Sequence, residues 1–208
     1  MELSIVGRSS SHFTRTARMF AHELGVEYAF VPVADLGSRR SSHYADNPAL
    51  RIPVLDTPLG PWFGTINICR ELARRVRSAR KIQWPEDLRD RKAANAQELV
   101  LQGMATEVGL IMQAASVPGG AIDTSGKAFE SLVNSLRWLD DNLTEVLAHT
   151  SQPDTLSIFE LTVFCFVTHI EFRKVTDVSA YRALQSFCRE FGQRPSAQAT
   201  VYRFDFSS

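Results

Sequence analysis

The first 76 residues alternate between short apolar runs and segments with helical periodicity. Residues 3–6 form an apolar run that ends at a Gly-Arg-Ser-Ser-Ser cluster, which predicts a strand followed by a loop. Residues 13–24 carry apolar side chains at helical spacing, and Gly25 stands where a glycine commonly ends a helix. Residues 28–33 predict a second strand, so the chain opens with a βαβ unit whose two strands pair in parallel.

A polar stretch separates this unit from a second group of short elements. Residues 34–50 predict a loop with room for a short helix. Residues 52–56 predict a short strand that contains Pro53, and residues 60–63 follow a turn at Thr57 and Pro58. The apolar positions of residues 65–77 then return to helical spacing and predict a helix.

From residue 78 onward the strand-like pattern vanishes. Residues 78–83 predict a polar linker, and residues 84–116, 127–149 and 180–191 predict helices. A further helix opens at Ser157; it is apolar on most sides, which predicts burial, and Ser157 with Glu160 forms an S-x-x-E capping box. The predicted fold class is therefore α/β plus all-α, with one domain over residues 1–77 and an all-helical domain over residues 85–208.

Composition and charge narrow the class of protein. Apolar residues make up 44% of the 208 residues and charged residues 22%, which is typical of a globular chain. The 23 basic residues balance the 23 acidic ones, which argues against a nucleic-acid binder with a basic surface. The longest apolar run, residues 161–167, is too short for a membrane span, and no signal segment is expected at the N-terminus.

The three cysteines indicate the compartment and argue against a metal site. They form no CxxC pair, and an odd number is a poor disulfide framework, so we expect a reducing, cytoplasmic environment. Cys165 and His169 share one helical face, but two ligands are fewer than zinc requires, so we expect no metal. Five arginines cluster on and just after the helix predicted over residues 65–77, and they indicate a solvated face or a dimer contact more than a nucleic-acid patch; they are Arg70, Arg74, Arg75, Arg77 and Arg80.

Five short motifs, in this order along the chain, resemble those of the glutathione transferase family. Residues 11–18 resemble its Ser-Pro-Phe-x-Arg-x-x-Arg, and residues 47–55 its Asn-Pro-x-Gly-Lys-Val-Pro-Val-Leu. Gly64-Thr65-Ile66-Asn67-Ile68 stands where the family has Glu-Ser-x-Ala-Ile. Residues 157–160 resemble its Ser-Ile-Ala-Asp box, and Arg194-Pro195-Ser196 its Arg-Pro-Ser ending. The resemblance implies a thioredoxin-like N-terminal domain with a mixed four-stranded sheet, followed by a helical bundle domain.

The same resemblance implies a chemistry for the turn before the first helix. Ser11 would donate a hydrogen bond to the thiolate of glutathione, and a hydrogen bond to the charged form lowers the pKa of a thiol. The N-terminus of a helix favours negative charge as well. Ser9 or Ser10 could take this role, or Ser11 could be an N-cap only. His12 replaces the family's proline; we expect it to be exposed, and it is a weaker candidate for a base.

The resemblance also implies which residues hold glutathione: Phe13, Arg51, Ile52, Pro53, Gly64 and Thr65. Pro53 would be cis, so that the backbone of Ile52 pairs with the cysteinyl backbone. Thr65 would hold the γ-glutamyl carboxylate at a helix N-terminus. Arg51 either reaches the glycine carboxylate or is a solvated loop charge. Gly64 departs from the family pattern, because it offers no side chain for the γ-glutamyl group.

The implied protein is a glutathione transferase that conjugates the thiolate to small hydrophobic electrophiles in detoxification. The helical domain would supply an apolar wall for the electrophile. The resemblance further implies a homodimer without nucleic-acid or membrane partners. Two alternatives stay open: a non-catalytic protein-interaction module of the same fold, and reduction through a mixed disulfide. The second is weaker, because no cysteine occurs in the first 68 residues.

Overall fold

The chain forms two compact units in a computed structural model that describes residues 3–76 and 80–206. The first unit combines Met1–Ala79 with Gln193–Ser208, and the second is Arg80–Gly192. Arg77 and linker residues 78–79 lie outside the described residues, so the predicted helix end at Arg77 is not described.

The first unit is built on a four-stranded mixed sheet. Its elements are β1 (Ser4–Gly7), α1 (His12–Glu23), β2 (Ala29–Pro32), β3 (Val54–Asp56), β4 (Trp62–Phe63) and α2 (Thr65–Arg75). The strand order is β2-β1-β3-β4, with β1 parallel to β2 and the other two pairings antiparallel. The predicted βαβ opening and mixed sheet are confirmed.

Apolar side chains from both helices pack on this sheet. Ile5 on the central strand is opposite Phe30 and Leu55, and Ile5 and Leu55 are fully buried. The loop before β3 contains one turn of 3-10 helix, Ser41–Tyr44, as its composition allowed. Tyr44 anchors that loop, since its ring is buried and its hydroxyl donates to the carbonyl of Leu36 at 2.8 Å.

The second unit is mainly helical. It contains α3 (Arg91–Ala115), α4 (Lys127–Thr150), α5 (Ile158–Arg173) and α6 (Arg182–Phe191). Helix α5 is buried along nearly its whole length, as its apolar sequence predicts. Ser157 caps α5, with its hydroxyl accepting from the N–H of Glu160 at 3.4 Å. The Glu160 carboxylate accepts a hydrogen bond from the Ser151 hydroxyl at 2.6 Å.

Two short strands in the second unit were missed by the sequence pattern. β5 (Lys81–Gln83) pairs in parallel with β6 (Thr155–Ser157). The prediction that strands end before residue 78 is therefore wrong. Three-residue strands show too little alternation to be recognised, and their pairing partners lie far apart in the chain.

The C-terminal segment packs with the first unit, whereas the sequence placed it in the helical domain. It contains a short helix, α7 (Pro195–Ala199), and an extended tail. Ser196 donates to the carboxylate of Glu23 at 2.5 Å, and Arg15 donates to the carbonyl of Ala197 at 3.1 Å. These contacts, which join residues more than 170 positions apart, place 193–208 in the first unit.

Within the part of the chain that the structure describes, none of the helices has both the length and the hydrophobicity needed to cross a membrane.

In the arginine cluster, Arg74 and Arg75 form ion pairs with Glu71 of their own helix at 3.3 and 2.7 Å.

Candidate functional site

The turn between β1 and α1 positions the serine cluster. Gly7 ends β1, and a Cβ there would lie 2.5 Å from the side chain of Thr14, so glycine lets the helix approach the strand. Ser11 is the N-cap of α1, and its hydroxyl accepts from the N–H of Thr14 at 3.2 Å. The Ser11 N–H donates to the carbonyl of Arg8 at 3.1 Å. Ser11 as a whole residue is partly exposed.

The other two serines of the cluster have different surroundings. Ser9 is only 3% exposed, and its hydroxyl accepts from Arg18 at 3.3 Å. Its N–H donates to the carboxylate of Asp205 at 2.7 Å. Ser10 is partly exposed, as Ser11 is. Burial therefore sets Ser9 apart, and Ser10 and Ser11 are the two serines that a ligand in solvent can reach.

His12 does not have the expected exposure. The side chain is fully buried, and its ring makes an edge contact with Phe13, with the ring centroids 4.6 Å apart. The expectation came from its position at the start of a helix. In the structure, however, His12 is the first residue of α1 after the N-cap, and its side chain faces inward.

The start of α2 lies beside the start of α1. Thr65 is the first residue of α2, and its hydroxyl donates to the carbonyl of Phe13 at 3.3 Å. Two helix N-termini, each with a positive dipole end, are thus held together. Such an arrangement suits an anionic ligand. Gly64, the residue before α2, is exposed and has a φ of 80°, a left-handed conformation that favours glycine.

The segment before β3 forms the third part of the candidate site. The Ile52–Pro53 peptide bond is cis, as the resemblance implies. Pro53 is buried, and Ile52 packs against a cluster that includes Val6 and Val54. Arg51 has an exposed side chain, and its carbonyl accepts from the side chain of Asn47 at 2.8 Å.

Sequence reasoning missed three residues that shape these segments. Asn47 bonds both Arg51 and the N–H of Ala49, which fixes the turn before Pro53. The Asn-Pro motif could have singled it out, since Asn side chains commonly close such turns. Arg18 and Asp205 bind Ser9, and no local sequence signal connects Asp205 with residue 9.

Comparison with known proteins identifies the first part of the chain. Residues 10–75 match the family described as glutathione S-transferase, N-terminal domain. That range includes Ser11, Thr65 and the segment before β3. The sequence comparison with curated proteins gives no match.

Solved structures share the fold over nearly the whole chain. A glutathione S-transferase from Methylobacillus flagellatus KT, with glutathione bound, is 21% identical; the alignment covers 97% of this chain and 100% of that one, with a TM-score of 0.74. A glutathione transferase family member from Pseudomonas fluorescens Pf-5, with bound glutathione, is 19% identical, with 97% and 99% covered and a TM-score of 0.75. A glutathione S-transferase from Rhodospirillum rubrum F11 is 16% identical, with 97% and 92% covered and a TM-score of 0.73.

The match over residues 10–75 agrees with the mixed sheet and the paired helix N-termini, and the structural likeness extends to the helices of the second unit. Residues 10–75 therefore match the glutathione S-transferase N-terminal domain, and the chain has the fold of glutathione transferases over nearly its whole length.

Proposed function

We propose that this protein conjugates the thiolate of glutathione to small hydrophobic electrophiles. The observation that carries the proposal is the hydrogen bond from Thr65 to the Phe13 carbonyl, which holds the N-termini of α1 and α2 together. Glutathione is a flexible anion with a thiol, and two adjacent positive helix ends can bind one of its carboxylates and favour its thiolate. Solved relatives of the same fold have glutathione bound, which supports this ligand.

Ser11 has the hydrogen-bond donor that stabilisation of a thiolate requires. A serine hydroxyl has one donor and two acceptor lone pairs, and capping Thr14 uses a lone pair. Its hydrogen is available for donation to a sulfur. A hydrogen bond to the thiolate, added to the helix dipole, lowers the pKa of the bound thiol below its usual value of about 8.5.

The remaining site residues bind and orient glutathione. The Ile52 backbone, beside Pro53, pairs with the cysteinyl backbone as an added strand would. The backbone N–H of Thr65, at the N-terminus of α2, holds the γ-glutamyl carboxylate, while the Thr65 hydroxyl keeps its hydrogen bond to the Phe13 carbonyl. Arg51 is exposed and reaches for the glycine carboxylate, and Phe13 and Gly64 line the two helix starts. Gly64 offers no side chain, so helix N–H groups replace the missing contact.

In the reaction, the thiolate sulfur attacks an electrophilic carbon and forms a carbon–sulfur bond. The leaving group departs from that carbon with its electron pair, so the charge of the thiolate passes to the leaving group. Holding the thiolate in place turns an encounter of two molecules into a reaction at a fixed site, which supplies much of the rate.

The test is removal of the Ser11 hydroxyl. Ser11→Ala and Ser11→Gly should lose most conjugation to an activated aryl halide, with glutathione binding nearly intact and the thiolate absorbance at neutral pH reduced. Glycine is tolerated as an N-cap at a loss of a few tenths of a kcal/mol, so Ser11→Gly separates the donor from the cap. Ser11→Thr keeps the hydroxyl and should keep activity. Full turnover in Ser11→Gly with loss in Ser10→Ala would assign the role to Ser10.

A second candidate function, a non-catalytic protein-interaction module, is favoured by Gly64. For this candidate, the helix N–H groups do not make up for the side chain that is missing before Thr65, and glutathione is not bound. Retention of the wild-type chain on immobilised glutathione and elution by free glutathione support the enzyme. A chain that is neither retained nor active supports the module.

The role that we propose for this protein is in detoxification, as a cytoplasmic homodimer. Among the described residues, Cys69 and Cys165 are buried and Cys188 is partly buried, and no disulfide joins them, which suits a reducing compartment.

A further inference from the structure

The C-terminal tail of the chain reaches back to the turn that carries Ser11. The side chain of Asp205 is only 4% exposed, and its Oδ2 accepts the N–H of Ser9 at 2.7 Å. A carboxylate buried to this degree needs hydrogen-bond partners, and here a backbone N–H of the turn is one of them. The contact joins residues 196 positions apart.

Two arginine–aromatic contacts fix the same tail beside the turn. The guanidinium of Arg8 lies over the ring of Phe206, 4.9 Å from its centroid. That of Arg15, which is buried, lies over the ring of Tyr202 at 4.3 Å. Arg8 immediately precedes Ser9, so the tail contacts the turn at two successive residues, through Phe206 and Asp205.

These contacts hold the backbone of the turn that carries Ser11. Asp205 holds the N–H of Ser9, Arg18 holds its hydroxyl, and the Arg8 carbonyl accepts the N–H of Ser11. The turn from Arg8 to Ser11 is thus fixed on one side by the tail and on the other by α1. A shift of the Ser9 peptide would move Ser11, because the two are separated by a single residue.

We propose that Asp205 is a positioning residue of the glutathione site, which holds the turn so that the Ser11 hydroxyl meets the thiolate. The inference rests on the proposed function and adds to it a residue from the far end of the chain. Asp205 acts through Ser9 and touches neither glutathione nor the electrophile.

The experiment compares Asp205→Ala with Asp205→Asn. The asparagine keeps an oxygen that accepts the Ser9 N–H and removes the charge; the alanine removes both. Val201→Ala, an exposed position on the same tail, is the matched control. For Asp205→Ala we expect kcat to fall about ten- to hundredfold, the scale of a small misplacement of a reacting group. Its bound thiol should titrate at higher pH, while the Kd for glutathione changes little. Asp205→Asn and Val201→Ala should resemble the wild type.

Two outcomes would overturn the proposal. If Asp205→Ala loses stability but keeps the wild-type kcat and thiol titration, Asp205 is a structural anchor only. If both Asp205 variants lower the pH at which the thiol titrates, Asp205 acts through its charge and not through the turn.

A readout without glutathione separates this inference from the proposed function. Amide hydrogen exchange at residues 8–14 should accelerate in Asp205→Ala and not in Asp205→Asn. If the wild type neither binds nor conjugates glutathione, the proposed function fails, and this exchange pattern still decides whether Asp205 holds the turn. Unchanged exchange in Asp205→Ala contradicts it.

Discussion

Three consecutive serines have three surroundings in this protein, although their side chains are chemically the same. Ser9 is buried between Arg18 and Asp205, Ser10 is partly exposed, and Ser11 caps a helix. A hydroxyl becomes useful to a ligand only where burial leaves it reachable and where its hydrogen is not already donated. The surroundings of each serine, and not its residue type, therefore determine which one is the candidate for contact with the thiolate.

Thr65 offers a direct test of ligand binding at the start of α2. Thr65→Ala removes the hydroxyl that donates to the Phe13 carbonyl and that we propose lies beside the γ-glutamyl carboxylate. We expect glutathione binding to weaken by about 0.5–1.5 kcal/mol, the usual net contribution of a neutral hydrogen bond, because the two helix N-termini are no longer held together. The effect on kcat at saturation should be smaller. Isothermal titration calorimetry measures the affinity.

Thr65→Ser is the matched control, since it keeps the hydroxyl and removes one methyl group. It should bind glutathione nearly as the wild type does. Equal losses in the alanine and serine variants would show that the methyl group, and not the hydroxyl, matters there.

The sequence shows that a serine stands before the first helix, but not which one is accessible. Ser11 could be proposed because the capping pattern and the family motif coincide there. The burial of Ser9 and the contact with Asp205 could not be, since a 196-residue separation leaves no local pattern. His12 was misjudged for the same reason: exposure depends on what packs over a position, and local sequence does not report that.

Among the elements, α3 contains two glycines in opposite situations. A Cβ on Gly103 would lie 2.5 Å from the ring of Phe166, which is fully buried. A Cβ on Gly109 would meet no atom within 4 Å, and this position is exposed. Both residues lie within the helix, so helix propensity favours alanine equally at the two sites.

Gly103→Ala and Gly109→Ala should therefore change the free energy of unfolding in opposite directions. At Gly109 alanine should stabilise by about 0.5–1 kcal/mol. At Gly103 overpacking against Phe166 should destabilise by about 1–3 kcal/mol. Urea unfolding measures both. Stabilisation by both substitutions would mean that Phe166 moves aside freely, contrary to its complete burial.

Asp90, the N-cap of α3, makes the stability of the fold depend on pH. Its side chain accepts from the N–H of Ala93 at 2.9 Å, and this hydrogen bond, helped by nearby His149, lowers the pKa of Asp90 below its ordinary 3.8. A lowered folded-state pKa stabilises the fold above the unfolded-state pKa, and the contribution is lost as pH falls through the lowered value. Asp90→Asn keeps a cap acceptor that does not titrate.

We expect the wild type to be more stable than Asp90→Asn at neutral pH. That difference should shrink as the pH falls below about 4, where the unfolded carboxylate takes up its proton. Urea unfolding of both chains across this range is the measurement. Parallel stability curves would show that the charge of Asp90 contributes nothing.

Most of each long element could be predicted from the sequence, although α3 begins at Arg91 and not at residue 84. Very short elements could not be predicted. Helix α5 was identified as buried because its apolar residues surround it, and α4 matches its predicted bounds within one residue. Strands β5 and β6 were not predicted because each has only three residues and each is a strand only through its pairing with the other. Pairing across more than 70 positions is a property of the folded chain.

For the whole molecule, the division into units does not follow the order of the chain. The first unit combines Met1–Ala79 with Gln193–Ser208, although more than 110 residues of the second unit lie between these two segments in the chain. The tail therefore returns to the unit that contains Ser11, and truncating it would alter that unit. A reading along the sequence assigns a terminal segment to the elements just before it.

A groove on the second unit supports the proposed homodimer. The groove lies between α3 and α4, has a volume of about 740 Å³, and includes the ring of Trp138. Charges of both signs line it: Arg91, Lys127, Glu98 and Glu130. In a two-fold dimer the same patch meets itself, so the patch must be complementary to itself. Two cations and two anions on one groove satisfy that condition.

We expect light scattering to give twice the 23.3 kDa chain mass at micromolar concentration. Glu98→Lys combined with Glu130→Lys leaves the groove with one sign of charge, so two copies should repel and the mass should fall toward that of a monomer. Adding Arg91→Glu and Lys127→Glu restores both signs and should restore the dimer. Asp141→Lys, an exposed change of the same charge on α4 outside the groove, is the control and should leave the mass unchanged. A wild type that is monomeric throughout contradicts the homodimer, and a dimer that survives the paired lysine substitutions places its interface elsewhere.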